Sequence, residues 1–236
     1  MSRPPDSGCA DDFQFEELAS AINYRNAIAG EFGRFLSGRV LEVGAGAGQF
    51  TSLLVRNKGI TGIVALEPDE RFAEDLARRF PEIQVVCDTI SGLAPEERFD
   101  AAVMINVLEH IRDDAADLSC LHRLLSKTQG QLCLFVPAGP EIYSPQDAGF
   151  GHYRRYSRKG LEALLKNAGF KIRQIHHFNL TGYFGWAIHC RLLGRTRFDP
   201  RHVFLYDRFL FPPMYWIERC ICRPPFGQSL VAIATA

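Results

Sequence analysis

The stretch from Arg39 to Gln49, RVLEVGAGAGQ, joins a short apolar run to three glycines at alternate positions. The apolar run is typical of a parallel strand that is buried on both faces. Gly44, Gly46 and Gly48 follow at once, and they let a ligand lie against main-chain N–H groups without meeting a Cβ atom. The pattern therefore predicts a nucleotide-like ligand at the end of this strand.

An acidic side chain, Glu67, stands at the end of a second predicted strand over residues 63–66. A carboxylate in this place can accept hydrogen bonds from both hydroxyls of a ribose. The glycine spacing is G-x-G-x-G, and Gln49 occupies the place of the third glycine of the dinucleotide fingerprint G-x-G-x-x-G. A ligand with a ribose and a small polar tail, but without a pyrophosphate, is therefore predicted.

Possible proton-transfer groups are concentrated in two places. His110 follows the fourth predicted strand, and His152 lies in the irregular loop PAGPEIYSPQDAGFGHYRRYS. Both histidines are candidate general bases, with Tyr153 and Tyr156 as positioning hydroxyls, although either histidine could equally be structural.

The same loop carries candidate acceptor-binding residues. Arg154 and Arg155 have the planar fork that suits a carboxylate or a phosphate, and Tyr143 is a further candidate contact. The alternative is that the two arginines pair with Asp147 or Glu141 and hold the loop closed.

Three motifs, VLEVGAGAGQF, ALEPD and INVLEHI, resemble the first, second and fourth motifs of class I S-adenosylmethionine (SAM) dependent methyltransferases. The loop GHYRRY resembles a signature of a bacterial branch of these enzymes, often encoded beside glycosyltransferases or biosynthetic enzymes. The resemblance implies SAM as cofactor, S-adenosylhomocysteine as product, and a cofactor site made of Tyr24, Glu42, Gly44, Ala45, Gly46, Gly48, Glu67, Pro68, Asp88, Thr89, Asn106, Val107 and Leu108. Within this set Asp88 would accept from the adenine amino group; otherwise it caps the next turn.

The elements that must position these residues are strands predicted at 40–43, 63–66, 83–87, 99–105, 132–136, 170–177 and 229–234. Because ligands of open α/β sheets bind beyond the carboxyl ends of the strands, the candidate residues are expected to converge there. The resemblance implies the fold: an α/β, Rossmann-like sandwich with a mostly parallel seven-stranded sheet and an antiparallel last strand.

The expected domain plan is a flexible tail at 1–12 and a single domain at 13–236. Within it, cap helices occupy about 13–37, and an insertion of aromatic residues and arginines occupies about 178–227. Two short helices are predicted in the insertion, one on each side of the turn 196–200. The insertion could be a substrate lid, a dimer face or a membrane-contacting segment.

Composition narrows the class of protein. The 236 residues are 47% hydrophobic and 23% charged with a formal net charge of zero, which is typical of a globular protein and does not favour a nucleic-acid partner. The seven cysteines lack the spacing of a zinc site, so no metal is predicted. Since the sequence shows neither a secretory signal nor a membrane span, a cytoplasmic location is expected.

The sequence thus predicts a SAM-dependent methyltransferase that acts on a small metabolite, glycan or lipid-linked biosynthetic intermediate. The acceptor is expected to be partly apolar, with an anionic group as one option, and to be methylated at oxygen by in-line displacement without a metal. One alternative is a nicotinamide-dependent reductase or epimerase, which the missing third glycine and the absence of a Tyr-x-x-x-Lys pair disfavour. Another is a SAM-binding accessory protein without an acceptor pocket. The oligomeric state stays open.

Overall fold

The computed structural model describes residues 21–195 and 199–236. The predicted tail at 1–12, the start of the cap segment from 13 to 20, and positions 196–198 of the predicted turn lie outside the described residues.

One sheet of seven strands organises the described residues. The strands are β1 (Gly38–Val43), β2 (Ile60–Leu66), β3 (Gln84–Val86), β4 (Ala101–Ile105), β5 (Gln131–Pro137), β6 (Lys171–Phe178) and β7 (Ser229–Thr235). Their order is β3-β2-β1-β4-β5-β7-β6, and β7 runs antiparallel to both β5 and β6 while the other pairs are parallel. The predicted sandwich with its antiparallel last strand is confirmed.

The helices are α1 (Ile22–Phe32), α2 (Thr51–Leu54), α3 (Glu70–Arg79), α4 (Asp114–Ser126), α5 (Pro145–Gly149), α6 (Arg158–Asn167), α7 (Leu180–Trp186), α8 (Pro200–Leu205) and α9 (Phe211–Cys220). Local caps begin several of them. The Asp69 side chain accepts from the N–H of Arg71 at the start of α3, and the Ser157 hydroxyl accepts from Gly160 at the start of α6.

Strand residues alternate between two apolar layers, because successive side chains point to opposite faces of a sheet. Leu41 of β1 packs in the layer that contains α4 and α6. Val40 packs in the other layer, with α1, α2 and Phe211 of α9. The central strands are therefore buried on both faces, as their uniform hydrophobicity predicts.

The segment between β6 and β7, residues 179–228, is called the insertion below. In its first part α7 continues as a π-helical stretch, Ala187–Leu192. In its second part α8 continues through a π-helical stretch, Tyr206–Leu210, into α9. A helix thus lies on each side of the predicted turn, but the second runs unbroken from Pro200 to Cys220, so the prediction of two short helices is wrong there. Aromatic packing of Phe211 on Tyr24 and Phe178 favours the longer helix.

Two buried carboxylates of the insertion cap helices remote from them in sequence. Helix α1 begins at Ala21, which offers no side-chain cap, and Asp207 accepts instead from the N–H groups of Asn23 (3.0 Å) and Tyr24 (2.8 Å). Glu218 likewise accepts from Asn179 and Leu180, at 2.9 and 2.8 Å, where α7 begins. Both carboxylates accept from backbone N–H groups that would otherwise have no hydrogen-bond partner. Their negative charge also stabilises the positive end of the helix dipole.

Replacing Asp207 with alanine is expected to lower the free energy of unfolding by about 1–3 kcal/mol, because buried N–H groups of α1 would lose their acceptor. Urea unfolding followed by circular dichroism measures the loss. The control is Asp113→Ala, which removes an exposed cap whose carboxylate accepts from the Ala116 N–H at the start of α4, at a cost of about 1 kcal/mol. A smaller loss for Asp207→Ala than for the control would contradict the anchoring role.

Candidate functional site

The carboxyl ends of β1, β2 and β4 bring the glycine turn, Glu67 and Asn106 to one edge of the sheet. The N–H groups of Gly44 and Ala45 both donate to the carbonyl of Leu66, at 2.8 and 3.2 Å. Asn106 follows β4 directly, with a left-handed φ of 52°, and its N–H donates to Phe135. The predicted convergence at this edge is thereby observed.

The glycine turn needs glycine for two different contacts. Gly44 has a φ of 68°, and a Cβ added there would lie 2.5 Å from Cγ2 of Val107. Gly48 has a φ of 72°, and a Cβ there would lie 2.7 Å from Cδ2 of Leu76 on α3. Gly44 therefore lets the end of β4 approach the turn, while Gly48 serves the packing of α3.

Glu67 is a buried carboxylate directed at the glycine turn. It accepts from the N–H of Gly46 at 2.8 Å and from the N–H of Asp69 at 2.9 Å. Pro68 follows it and is exposed. The carboxylate thus lies beside the backbone that was predicted to hold a ligand.

A second buried acid, Glu42, lies on β1 behind the turn. The hydroxyl of Thr51 donates to its Oε2 at 2.7 Å. Burial, reinforced by the negative charge of nearby Glu67, raises the pKa of Glu42 to about 8. Glu42 is therefore largely a neutral acid at pH 7 in the structure.

The remaining predicted cofactor residues differ in exposure. Asp88 and Thr89, after β3, are exposed, and the Thr89 N–H donates to the Asp88 carboxylate at 2.7 Å. Leu108 is fully buried in the core, and its carbonyl accepts from the Tyr156 hydroxyl. The adenine role of Asp88 stays a prediction.

A cavity of about 420 Å³ adjoins this edge of the sheet. Its wall is mostly apolar and includes Phe150 and Trp186, and Asn106 belongs to it as well. The insertion supplies much of the wall through Asn179, Thr181, Gly182, Gly185, Trp186, His202, Val203, Tyr206 and Asp207. Asn106 thus borders both the predicted cofactor edge and the cavity.

Tyr24 lines this cavity too. Its ring packs edge-on against Phe135, Phe178 and Phe211 with centroid distances of 6.1, 5.5 and 5.2 Å. Burial raises the pKa of its hydroxyl, which hydrogen-bonds Ser229. The structure places the predicted cofactor contact on the cavity wall.

Polar groups on one wall of the cavity satisfy each other. Tyr206 donates to the Asn179 side-chain oxygen at 2.5 Å, and the Asn179 amide donates to Gln228 at 2.9 Å. Tyr206 also lies 2.7 Å from the Thr181 hydroxyl. The network leaves the wall with few unsatisfied polar groups, as a cavity for a partly apolar ligand requires.

The irregular loop is held by a buried network centred on Asp147. Arg155 Nε donates to its Oδ1 at 2.7 Å, and His152 Nδ1 lies 3.0 Å from the same oxygen. The Arg155 guanidinium stacks over the Trp186 ring at 4.5 Å and also donates to the carbonyl of Ala138. Burial alone would raise the pKa of Asp147, but hydrogen bonds and the charge of Arg155 hold it below its ordinary value. Arg155 thus adopts the loop-closing pairing that was one of the two alternatives.

The two candidate bases lie together, and His152 lines the cavity. His110 packs edge-on against His152 at 4.7 Å, and burial together with His152 lowers the pKa of His110 to about 4. His152 Nε2 is buried, 3.9 Å from the carboxyl of Glu109. A general-base role for either histidine stays a prediction.

Glu109 is a further buried acid at this place. It is fully buried, no side-chain hydrogen bond from another described residue reaches it, and burial raises its pKa to about 8. Glu109, His110 and His152 together bring three possible metal-ligand atoms within 4.8 Å of one another. This donor set would suit a transition metal, and the absence of a metal in the reaction stays a prediction.

Four other predicted residues lie outside the cavity wall, and three of them have side-chain hydrogen-bond partners elsewhere. The Tyr156 hydroxyl donates to the carbonyl of Leu108 and hydrogen-bonds Asp114, and Arg154 binds Asp114 at 2.8 Å. Tyr143 donates to the His152 carbonyl at 2.7 Å, and Tyr153 is 57% exposed. Catalytic or acceptor-binding roles for these four residues stay predictions.

Sequence reasoning overlooked several wall residues, notably Asn179, Tyr206 and Trp186 of the insertion, and it took Asp147 only as a partner of arginine. The pattern Ser144-x-x-Asp147 forms a capping box at α5, which could have indicated that Asp147 is ordered. In the insertion, Asn179 caps α7 by accepting from the Gly182 N–H, but a cap residue does not by itself indicate a place on a cavity wall.

Residues 11–175 match the sequence family described as a methyltransferase domain, and the chain belongs to this family. The predicted class, a SAM-dependent methyltransferase, is thereby confirmed, and the family places the chain apart from nicotinamide-dependent reductases. The acceptor is not determined by the family.

One named protein is similar to part of this chain. A malonyl-[acyl-carrier protein] O-methyltransferase of Paenibacillus sp. (strain JDR-2) is 27% identical over 164 residues, which are 64% of this chain and 57% of that protein. The match thus spans little more than half of that relative's length.

Two solved structures show the same fold. The 1,6-didemethyltoxoflavin-N1-methyltransferase of Burkholderia thailandensis, with bound 1,6-didemethyltoxoflavin and S-adenosylhomocysteine, has a TM-score of 0.59 and 20% identity, with 94% of this chain and 80% of that chain covered. A complex of the Haloferax volcanii Trm112 methyltransferase activator and a methyltransferase gives a TM-score of 0.66 and 14% identity, with 100% and 99% covered.

The raised pKa of Glu42 predicts a pH-dependent effect of Glu42→Gln on stability. Because the folded-state pKa of about 8 lies above the ordinary value of 4.5, this group's contribution is fully present below about pH 4.5 and is lost as pH rises through about 8. Glutamine can still accept from Thr51 and does not titrate. The variant is therefore expected to gain at least about 1 kcal/mol relative to the wild type between pH 5 and pH 8.5.

Urea unfolding at several pH values, without cofactor, measures this difference. Glu70→Gln, which changes an exposed acid on α3, is the matched control and should show a constant difference. A constant difference for Glu42→Gln as well would show that Glu42 is already ionised in the folded protein.

Proposed function

We propose that this protein transfers the methyl group of SAM to a carboxylate oxygen of a small, partly apolar acceptor held in the cavity. The observation that carries the proposal is the position of Asn106, which borders both the strand ends predicted to hold the cofactor and the mostly apolar cavity. A ligand at the strand ends and a ligand in the cavity would therefore lie next to each other.

The residues at the strand ends suit SAM. The Glu67 carboxylate would accept from the ribose hydroxyls, and the backbone of the turn from Gly44 to Gly48 would lie against the polar tail. Ala45 and Val107 would border the same site, and Asp88 with Thr89 would meet the adenine. When bound, SAM supplies a methyl group already activated by a sulfonium, which leaves as the neutral thioether S-adenosylhomocysteine.

A carboxylate acceptor suits the chemistry available at the cavity. Arg155 is the only arginine or lysine among the described residues that line it, but it is already paired with Asp147, and the rest of the wall is mostly apolar. A carboxylate is ionised at pH 7 and is a nucleophile without a general base, which fits a cavity where His152 has Nδ1 paired with Asp147 and Nε2 buried. Alignment of the reactants by the wall can supply about 7–11 kcal/mol of the rate enhancement.

The similar Paenibacillus protein supports this acceptor class, because it is named as an O-methyltransferase of a malonyl group, which bears a free carboxylate. The apolar wall favours an apolar metabolite or lipid-linked intermediate over a glycan. The presence of a cavity also favours catalysis over a non-catalytic accessory protein, for which no acceptor pocket was expected.

Isothermal titration calorimetry tests the cofactor assignment. SAM and S-adenosylhomocysteine are expected to bind, NADH and NADPH are not, and Glu67→Ala should weaken SAM binding at least about tenfold because hydrogen bonds to a charged acceptor are lost. Glu70→Ala removes an exposed acid nearby on α3 and should leave the affinity unchanged. Tight binding of a nicotinamide nucleotide, or equal affinities for wild type and Glu67→Ala, would overturn the assignment.

The pH dependence of turnover tests the acceptor class. For a carboxylate acceptor found by screening short- and medium-chain acids against matched alcohols, kcat is expected to stay flat within about twofold from pH 6.5 to pH 8.5, since the nucleophile is ionised throughout. Methyl esters are identified by mass spectrometry. Methylation of the alcohols that His152→Gln abolishes would instead support the general-base role.

A further inference from the structure

The outer surface of the insertion exposes an unusual set of apolar side chains. Among the described residues, all but two of the exposed large hydrophobic side chains, Ile22 and Tyr153, belong to it. They are Phe184, Ile188, Leu192, Leu193, Phe204, Leu205, Phe209, Leu210, Trp216, Ile217, Ile221 and Phe226. Single exposed leucines need no explanation, but a concentration of this kind marks a surface that is covered in use.

Most of the exposed charges in the described part of the insertion are positive. Exposed arginines accompany the apolar residues, namely Arg191, Arg195, Arg201, Arg208, Arg219 and Arg223. The acids of the described part of the insertion are mostly turned inward, since Asp207 and Glu218 are buried as remote helix caps. Asp199 is exposed and caps α8 through the N–H of Arg201. The surface is therefore apolar and cationic together.

We propose that the outer surface of the insertion rests on an anionic lipid surface. Helices that lie in a membrane interface combine Trp, Phe and Leu with Arg and Lys in this way, and their arginine stems cover apolar area while the guanidinium groups reach the headgroups. Within the described residues no helix is long and apolar enough to cross a membrane, so the contact is peripheral.

The charge argues against a second copy of the chain as the occupant. A twofold contact places the same patch on both partners, and here it would bring two positively charged patches together. A nucleic acid is equally disfavoured, because leucine and isoleucine side chains do not stack on bases as aromatic platforms do. An anionic lipid surface can accommodate both the apolar side chains and the arginines.

The cavity lies on the inner side of the same helices. Trp186 and Tyr206 line it, while Ile188 and Phe209 are exposed on neighbouring turns. An acceptor with an apolar tail would thus meet its binding site next to the lipid surface. The surface contact itself does not depend on the proposed acceptor or reaction.

Co-sedimentation of the full-length protein with vesicles tests the inference without cofactor or acceptor. Vesicles of phosphatidylcholine mixed with phosphatidylglycerol are expected to bind the protein, pure phosphatidylcholine much more weakly, and high salt should weaken binding. The double variant Arg201→Gln, Arg208→Gln should bind about 25-fold more weakly, at about fivefold for each charge. Trp216→Ser should also weaken binding.

The control is Lys159→Gln, which removes a positive charge on α6 in the helix layer on the other side of the sheet. It should bind like the wild type. Circular dichroism and SAM titration of each variant show that fold and cofactor site are intact, which separates a failure of the lipid contact from a failure of the proposed function.

Lack of sedimentation with the anionic vesicles, or unchanged binding of the arginine variant, would overturn the proposal. So would a concentration-dependent dimer in analytical ultracentrifugation that Trp216→Ser dissociates, since the surface would then be covered by a second copy.

Discussion

The buried carboxylate of Asp207 holds the cavity together, because it joins two parts of the chain that are remote in sequence. It accepts from the first N–H groups of α1, a helix with no cap of its own. This contact fixes Tyr24 against Phe211 and so closes one wall of the cavity. Without the insertion α1 would begin with unsatisfied donors, and without α1 the aromatic cluster of the insertion would lack a partner. The insertion and α1 therefore depend on each other.

The sequence predicted the sheet and its site edge well, because the signals there are local. Buried parallel strands have continuous apolar runs, and each run ends in a residue that the parallel register carries to the same edge. Glu67 and Asn106 could be placed for this reason alone, before any distance was known. The antiparallel β7 is different: only the family resemblance implied it, since strand direction leaves no mark in a short apolar run.

The parts that sequence could not predict depend on contacts between distant residues. His152 was a reasonable candidate base by residue type. Its pairing with Asp147 and the burial of its second ring nitrogen near Glu109 arise only from the tertiary structure. Arg155 illustrates the same point, since the choice between binding a ligand and closing the loop was decided by Asp147 and Trp186. A buried ion pair of this kind need not add stability, but breaking it would leave a charge uncompensated, so it orders the loop.

The chemistry of methyl transfer and the outer surface of the insertion are consistent with the same proposed acceptor. A methyl group on a sulfonium needs a positioned nucleophile more than a base, and a carboxylate provides the nucleophile without proton transfer. The mostly apolar walls of the cavity match the apolar tail of the proposed acid. Such acids partition into lipid surfaces, and the helices that form the wall carry apolar and cationic side chains on their outer side. The same segment can therefore serve as the cavity wall and as the surface through which an amphipathic acceptor arrives.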